Sequence, residues 1–374
     1  MTRPAPLNKT KNMKKKTYDP EYLRDFITRF FEKLGAPPAD AAAVADVFVR
    51  AELRNLPSHG MIRLKDHYQL WEAGRLNMRP EIRVVHESPS TAVLDGDNGI
   101  GMLVATRAMQ TAIEKARTAG SGWVAVRNSN HFGIGSYYTL MAVEAGMIGL
   151  AMTNGNPLVA PANSVDRLLG TNPIAVAVPA GKYPPFVGDF STTPIARGKL
   201  AVAAKKGEKV PFGYVIDKEG NPSDDPDILK KGGAMVPLGG DLAHGSHKGY
   251  ALGAIVDILS GVLSGANFGP FVPPNLAYLP LPDEQVGKGM GHFFGAWRID
   301  AFMPAETFRE RMDRWIEIFR NAKPVPGKKV LIPGDIEREA EERISREGIT
   351  IIPAIQDEVK ELAEKLDLDF EVKG

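Results

Sequence analysis

Trp123-Val124-Ala125-Val126-Arg127 runs directly into Asn128-Ser129-Asn130-His131-Phe132-Gly133-Ile134-Gly135, and a segment of helical character, Tyr137 to Ala145, follows. The first five residues have the apolar, β-branched and aromatic composition of a strand. Strand, polar glycine-containing loop and helix in that order mark an α/β chain. The loop is not the phosphate loop of a doubly wound nucleotide fold. G-x-G-x-x-G occurs nowhere in the chain, and Gly99-Ile100-Gly101 lacks the third glycine at the right offset. Polar side chains at the end of such a strand sit where α/β proteins hold ligands. The same Asn and Ser residues serve equally well as a turn that satisfies its own backbone.

Working outward, strands are expected at 82–86, 91–95, 148–153, 174–179 and 293–300, and helices at 102–119, 250–263 and 305–320. They alternate without a strict βαβ rhythm, which predicts a mixed α/β sheet rather than a doubly wound parallel one. Before them, Leu23, Phe26, Ile27, Phe30 and Phe31 recur at helical spacing. A Gly35-Ala36-Pro37-Pro38 break follows, with Asp40 as the expected N-cap of a second helix to Leu56. A third helical segment covers 61–73, and amphipathic helices are expected at 336–347 and 355–365. The division this suggests is a disordered basic extension over 1–17, a helical unit over 18–82 packed with C-terminal helices in 303–374, and a mixed α/β cofactor- and substrate-binding domain over 83–302.

The 374 residues suffice for that organisation, and 43% hydrophobic with 24% charged residues is ordinary for a globular chain. A net charge of +1 gives no support to a nucleic-acid or membrane-surface partner. The absence of cysteine excludes disulfides, thiolate metal sites and thiol nucleophiles, and makes a cytoplasmic home the expected one. No apolar run reaches 18 residues, and no Walker loop or H-E-x-x-H occurs. No metal site is expected, because His244 and His247 have only Asp241 near them in sequence.

Five further segments carry candidate chemistry. Ser58-His59-Gly60, with Arg63 four residues after His59, offers a proton-transfer group beside a guanidinium able to grip a carboxylate bidentately. Arg63 would lie one turn along the same helix face if a helix begins at Gly60. A capping serine and a surface His-Arg pair is the plainer alternative. The loops holding Thr153-Asn154-Gly155 and Thr171-Asn172 can present amides and hydroxyls to a ribose or phosphate, or act as turns alone. Asp189, after the apolar Phe186-Val187, can orient a histidine or cap a helix. His247-Lys248 at the start of an apolar helix sets a cation against the helix dipole, which points to an anionic ligand there. Asp335, in Pro333-Gly334-Asp335-Ile336-Glu337, can accept from a ribose hydroxyl or open a helix with an acidic first turn.

In order, Ser58-His59-Gly60 with Arg63, Asn130-His131-Phe132-Gly133, Leu169-Gly170-Thr171-Asn172-Pro173, Asp189-Phe190-Ser191-Thr192, Lys248-Gly249-Tyr250, Gly291-His292-Phe293-Phe294 and Pro333-Gly334-Asp335 resemble the type-2 malate/L-lactate dehydrogenases. The resemblance runs from about Tyr18 to Ile355. It implies a non-Rossmann, mixed-sheet fold and interconversion of a 2-hydroxy acid with a 2-oxo acid by hydride transfer. NAD or NADP would be the cofactor, with NAD favoured by Asp335, and Lys328, Lys329 and Arg338 pulling the other way. His59 would be the acid/base with Ser58 beside it, and Arg63 would anchor the substrate carboxylate. His131 would line the site, and in some members the corresponding histidine is described as the proton acceptor. Asp189 would orient a histidine. Asn130, Asp189, Phe190, Ser191, His247, Lys248 and the turn Pro333, Gly334, Asp335 and Glu337 would stand at the cofactor. Family members are homodimers or larger, with the cofactor near the subunit contact. Relatives acting on ureidoglycolate, diketogulonate, sulfolactate or cyclic imine acids share the motifs, and a non-catalytic dinucleotide-binding protein is the rival from another class. The sequence departs from the family at Ala162-Asn163-Ser164, where many members have paired glycines, and at Ala251, where glycine is frequent.

Overall fold

The computed structural model describes residues 17–373, so the expected basic extension, apart from Thr17, lies outside the described residues. Helix α1, Pro20–Lys33, is N-capped by Asp19, whose carboxylate accepts from the amides of Glu21 and Tyr22. Helix α2, Pro38–Leu53, starts earlier than expected. Pro37 is its N-cap and Asp40 lies in the first turn, because the fixed φ of Pro38 suits the first helical position and needs no side-chain cap. Two 3₁₀ turns, Pro57–His59 and Met61–Arg63, lead into α3, Leu64–Glu72.

Strands β1, Arg83–Glu87, and β2, Thr91–Asp95, precede α4, Gly101–Ala119. Then come β3, Ser121–Ser129, α5, Gly135–Glu144, and β4, Met147–Thr153. Next are β5, Ile174–Val178, β6, Phe186–Phe190, and α6, Arg197–Lys206. Short strands β7, Val215–Ile216, β8, Pro222–Ser223, and β9, Ala234–Met235, form a separate three-stranded sheet. Helix α7, Ser246–Asp257, is shorter than expected and continues as a π-helical turn, Ile258–Val262. Strand β10, Met290–Arg298, and helices α8, Ala305–Arg320, α9, Asp335–Glu347, and α10, Pro353–Lys365, complete the chain.

The main sheet has seven strands in the order β1-β2-β3-β10-β4-β5-β6. Only β2 and β3 run parallel; every other pair is antiparallel. This is the mixed sheet, not a doubly wound one. Strand β10 enters from far along the chain and separates β3 from β4, setting His292 opposite both Val126 and Thr153. Period-two alternation divides the strands between two faces. Val124, Val126 and Phe294 pack under α4 and α5 with Ala108, Met109 and Tyr138. Ala125, Met152 and Phe293 face α7 through Val256.

A third core joins the two chain ends: Phe26, Phe30, Phe31 and Phe48 pack with Ile344, Ile355, Leu362 and Phe370. Each such buried side chain contributes about 1.5–3 kcal/mol. Helix α8, expected with the C-terminal helices on the N-terminal unit, lies instead on the β5–β6 hairpin. Trp315 meets Phe186 edge-on, and Asp313 accepts from the amides of Gly181 and Lys182. The departure at Ala162-Asn163-Ser164 has a physical account. Asn163 sits at φ 67°, where glycine is free and asparagine is among the next most tolerated residues.

Candidate functional site

The Ser58–Arg63 segment is not one helix. Gly60 breaks it at φ −97°, ψ −139°, so Arg63 does not follow His59 along a single helical face. What fixes the segment is Glu52 from α2, only 7% exposed, whose Oε1 accepts from the amide of Met61 at 2.7 Å. A β-carbon on Gly60 would collide with that carboxylate. Arg63 folds back: its Nε donates to the Ser58 carbonyl at 2.7 Å and its Nη1 to Asp66 Oδ2 at 2.9 Å. Its Nη2 has no protein partner among the described residues. His67, which bonds the Arg63 carbonyl through Nδ1, is buried edge-on against Phe31 and Phe48 and supports this turn from beneath.

His131 arrives from the other side, on the loop between β3 and α5. Its ring stacks on that of His59 with centroids 5.5 Å apart and planes 18° from parallel. Arg63, Asp66, Asn130 and His131 line one small cavity together with Asn275. Burial, and then the Arg63 charge, lowers the His59 pKa to about 4. Burial followed by the charges of His59 and Arg63 holds His131 well below its ordinary value. Both rings are therefore neutral at pH 7. The Gly133 amide donates to His131 Nδ1 at 3.3 Å, which leaves the ring proton on Nε2. His59 Nδ1 lies 2.9 Å from Ser58 Oγ, and its Nε2 has no protein partner among the described residues.

Several other candidate residues are engaged internally. Asn154 is fully buried, bonded to Asp257 and the Asn267 carbonyl through Nδ2 and to the Gly291 amide through Oδ1. Thr153 is buried against His292, and Asn172 donates to the Gly253 carbonyl. Asn130 donates to the backbone of Asn98 and Gly99. The Asn154 side chain, Thr153 Oγ1 and the Nδ2 groups of Asn172 and Asn130 are thus engaged with α7, β10 and neighbouring loops, while Asn172 Oδ1 is buried without a partner among the described residues. Gly155 and Thr171 remain partly exposed beside them. Asp189 reaches no histidine: its Oδ2 accepts from the Ser136 amide at 2.7 Å, in the first turn of α5, where helix-end amides favour a carboxylate. Asp335 is likewise occupied, accepting from the Ile332 amide, Arg320 and Arg338.

A second group of residues converges at the outer edge of the sheet. The Val187 amide of β6 donates to the Pro333 carbonyl, and a β-carbon on Gly334 would stand 2.9 Å from Val187 Cβ, so glycine at φ 98° lets this turn lie on the strand beside Asp189 and Phe190. Glu337, partly exposed and unpaired among the described residues, is within electrostatic reach of Asp189. Past Ser191, the Thr192 carbonyl accepts from the Leu238 amide, and Leu238 touches Gly249 at the start of α7. That helix begins without a side-chain cap after Gly245 in the left-handed region, and His247 and Lys248 in its first turn are exposed. An uncapped helix start with a free ammonium, near exposed strand-end residues, suits the phosphates of a dinucleotide.

Three residues are in or beside these sites without having been singled out for a role. His292 belongs to a motif quoted above; it is buried with both ring nitrogens bonded, to Thr153 and Ser129 hydroxyls, and pins β10 between its neighbours. Glu52 and Arg197 carry no local pattern, and only tertiary contact brings them to Ser58–Arg63. Among the described residues no cluster of three or more His, Cys, Asp or Glu is placed to hold a metal ion, and no helix is long and apolar enough to cross a membrane.

Residues 18–360 match the family described as malate/L-lactate dehydrogenase. The chain is 42% identical over 350 residues to the malate dehydrogenase of Pyrococcus horikoshii, covering 93% of this chain and 94% of that one. It is 38% identical to the L-sulfolactate dehydrogenase of Methanocaldococcus jannaschii, covering 94% and 98%. The solved structure of malate dehydrogenase from Pyrococcus horikoshii superimposes with a TM-score of 0.86 at 38% identity, over 96% of this chain and 97% of that one. With the mixed sheet, the stacked histidines and these likenesses together, the chain belongs to the malate/L-lactate dehydrogenase family.

Proposed function

We propose that this enzyme interconverts a 2-hydroxy acid and the corresponding 2-oxo acid, of malate or lactate type, with His59 as the proton-transfer group. The observation that carries this reading is the neutral His59 ring, stacked on His131, with the Arg63 guanidinium beside it. We assign the His59 proton to Nδ1, donated to Ser58 Oγ, which leaves the Nε2 lone pair to take the hydroxyl proton in the oxidative direction and to return it in the reductive one. His131, with its proton on Nε2, serves as a hydrogen-bond donor to the same substrate oxygen, so the tautomer favours His59 over His131 as the base. Arg63 holds the carboxylate next to the reacting carbon through Nη2.

Members of the family use a nicotinamide cofactor, NAD or NADP, which supplies the hydride chemistry when bound. The residues proposed to hold it are Asp189, Phe190 and Ser191, His247 and Lys248, and the Pro333–Glu337 turn. The preference for NAD moves from Asp335 to Glu337. Asp335 is engaged, whereas Glu337 is unpaired beside Asp189, and two carboxylates there disfavour a 2′-phosphate. Of the cations that would favour NADP, Lys329 is paired with Glu339 and Arg338 with Asp335 and Glu342, while Lys328 makes no ion pair among the described residues.

The test is absorbance of NADH and NADPH consumption with oxaloacetate, pyruvate, sulfopyruvate, 2,3-diketogulonate and a cyclic imine acid. Turnover of an open-chain 2-oxo acid with NADH preferred is the expected result. Turnover of the imine alone would move the reaction to C=N reduction. Cofactor binding with no turnover of any substrate would leave a dinucleotide-binding protein.

A further inference from the structure

Arg197 opens helix α6, yet the sheet and its own packing carry it to the site. Ile195 and Leu200, on either side of it, are buried in the small core with Val159 and Leu169, which fixes the start of the helix. A β-carbon on Gly198 would stand 3.1 Å from Ser58 Cβ, so the first turn of α6 abuts the Ser58-His59 pair. Arg197 lies within electrostatic reach of both Arg63 and Asp66, with Tyr278 beside it. The loop bearing Tyr278 is itself held by Arg75, which donates to the Pro274 and Leu279 carbonyls.

Asp66 is already bonded to Arg63, and Arg197 makes no ion pair among the described residues. Arg197 is partly buried, its nearest charges are Arg63 and the Asp66 that Arg63 already holds, and the excess positive charge is offset when an anion joins it. The first turn of α6 adds to this, since its N-cap Ala196 supplies no side-chain acceptor for the leading amides. The site thus sets two guanidiniums against one carboxylate, Asp66, which is bonded to Arg63 and leaves Arg197 without an ion pair among the described residues. A substrate with one acid group satisfies Arg63 alone.

We propose that Arg197 is a specificity-determining residue that binds a second acid group, carboxylate or sulfonate, at the far end of a 2-oxo or 2-hydroxy diacid whose first carboxylate rests on Arg63. This rests on the reading of the site as a 2-hydroxy acid dehydrogenase. The geometry favours oxaloacetate-like and sulfopyruvate-like substrates over pyruvate.

The experiment compares wild type, Arg197→Met and Arg197→Lys in kcat/KM for oxaloacetate, sulfopyruvate and pyruvate. Loss of a charged hydrogen bond predicts a fall of about 10–100-fold for the two diacids in Arg197→Met. Pyruvate is expected to change by less than about threefold, and Arg197→Lys to recover part of the diacid rate. An equal fall for pyruvate would mean that both arginines grip one carboxylate, and no fall for the diacids would remove Arg197 from the site; either result overturns the proposal. If wild type turns over none of these three and no other 2-oxo acid of the panel above, the dehydrogenase reading fails by itself. The second subsite is then judged by calorimetric binding of malonate and acetate. Malonate binding at least about tenfold tighter in wild type, with the gap abolished in Arg197→Met, supports it, and an unchanged gap or none overturns it.

Discussion

His59 and His131, more than seventy positions apart in sequence, stack ring on ring with centroids 5.5 Å apart. The contact lets a charge on His59 disfavour protonation of His131, and in the proposed mechanism both imidazole edges serve one substrate oxygen. Replacing His59 by Ala removes the proposed base and is expected to lower kcat by about 10²–10⁴-fold. Cofactor affinity, read from nicotinamide fluorescence, should stay within about threefold, because the proposed cradle lies at β6 and α7. Near-normal turnover would transfer the role to another group.

The pH dependence follows from the same burial. A His59 pKa of about 4 means that the neutral, proton-accepting ring predominates above that value and is lost below it. In hydroxy acid oxidation, kcat/KM reports the free enzyme, so this histidine should cause no fall between pH 8 and about 5, and a steep fall below about 4. A limb centred near the ordinary histidine value would show that the ring is not desolvated in the working enzyme.

Arg63 holds its own turn through Nε and Nη1, and its proposed second task is to offer Nη2 to the substrate carboxylate. Lysine keeps the charge but supplies one point donor. Arg63→Lys is expected to raise KM for the oxo acid by roughly tenfold or more, with cofactor affinity unchanged. Steady-state kinetics at saturating cofactor decide it, and an unaltered KM would count against the anchor.

Glu52 is buried with one hydrogen bond and no counter-cation among the described residues, and burial raises its pKa to about 7. A carboxyl with a raised folded-state pKa is no handicap below its unfolded value of 4.5; the handicap grows between 4.5 and about 7 and is fully present above that. Glu52→Gln keeps an acceptor for the Met61 amide and removes the ionisation. The variant should match wild type in stability near pH 4.5 and exceed it at pH 8 by up to ~3 kcal/mol. Urea unfolding at both values tests this, and a gap independent of pH would refute it.

Along α7 and the turn after it, Tyr250, Leu252, Ile255, Ile258, Val262 and Leu263 are all exposed, with Ile255 at 47% and Ile258 at 53%. Exposed apolar side chains in this number on one helix and its extension are characteristic of a subunit contact. We expect a homodimer through it. The double substitution Ile255→Asp and Ile258→Asp should shift the mass seen by light scattering from dimer to monomer. A wild-type monomer, or a dimer that survives the change, would exclude this face.

Most of the longer elements were legible in the chain, while β6, α6 and the short strands β7 to β9 were not. The 3.6-residue spacing of Leu23, Phe26, Ile27, Phe30 and Phe31 and the alternation in 123–127 are properties of short segments, and the corresponding helix and strand followed. The order of the motifs was also legible, and with it the pairing of a histidine and an arginine at 59 and 63. Tertiary structure decided which polar groups remained available. Asn154, Asn172 and Asp335 looked like ligand-facing residues until long-range packing gave their side chains partners in α7, the 267 turn and α8. Asp189 went to the start of α5 rather than to a histidine for the same reason. Arg197 and Glu52 had no local signature, because what makes them matter is proximity to Ser58 and Met61 across the fold. Hydrophobic periodicity is set by neighbours in the chain and can be read there. The allocation of hydrogen bonds and charges is set by neighbours in space, and it exists only once β10 has entered between β3 and β4 and the two chain ends have closed on one core.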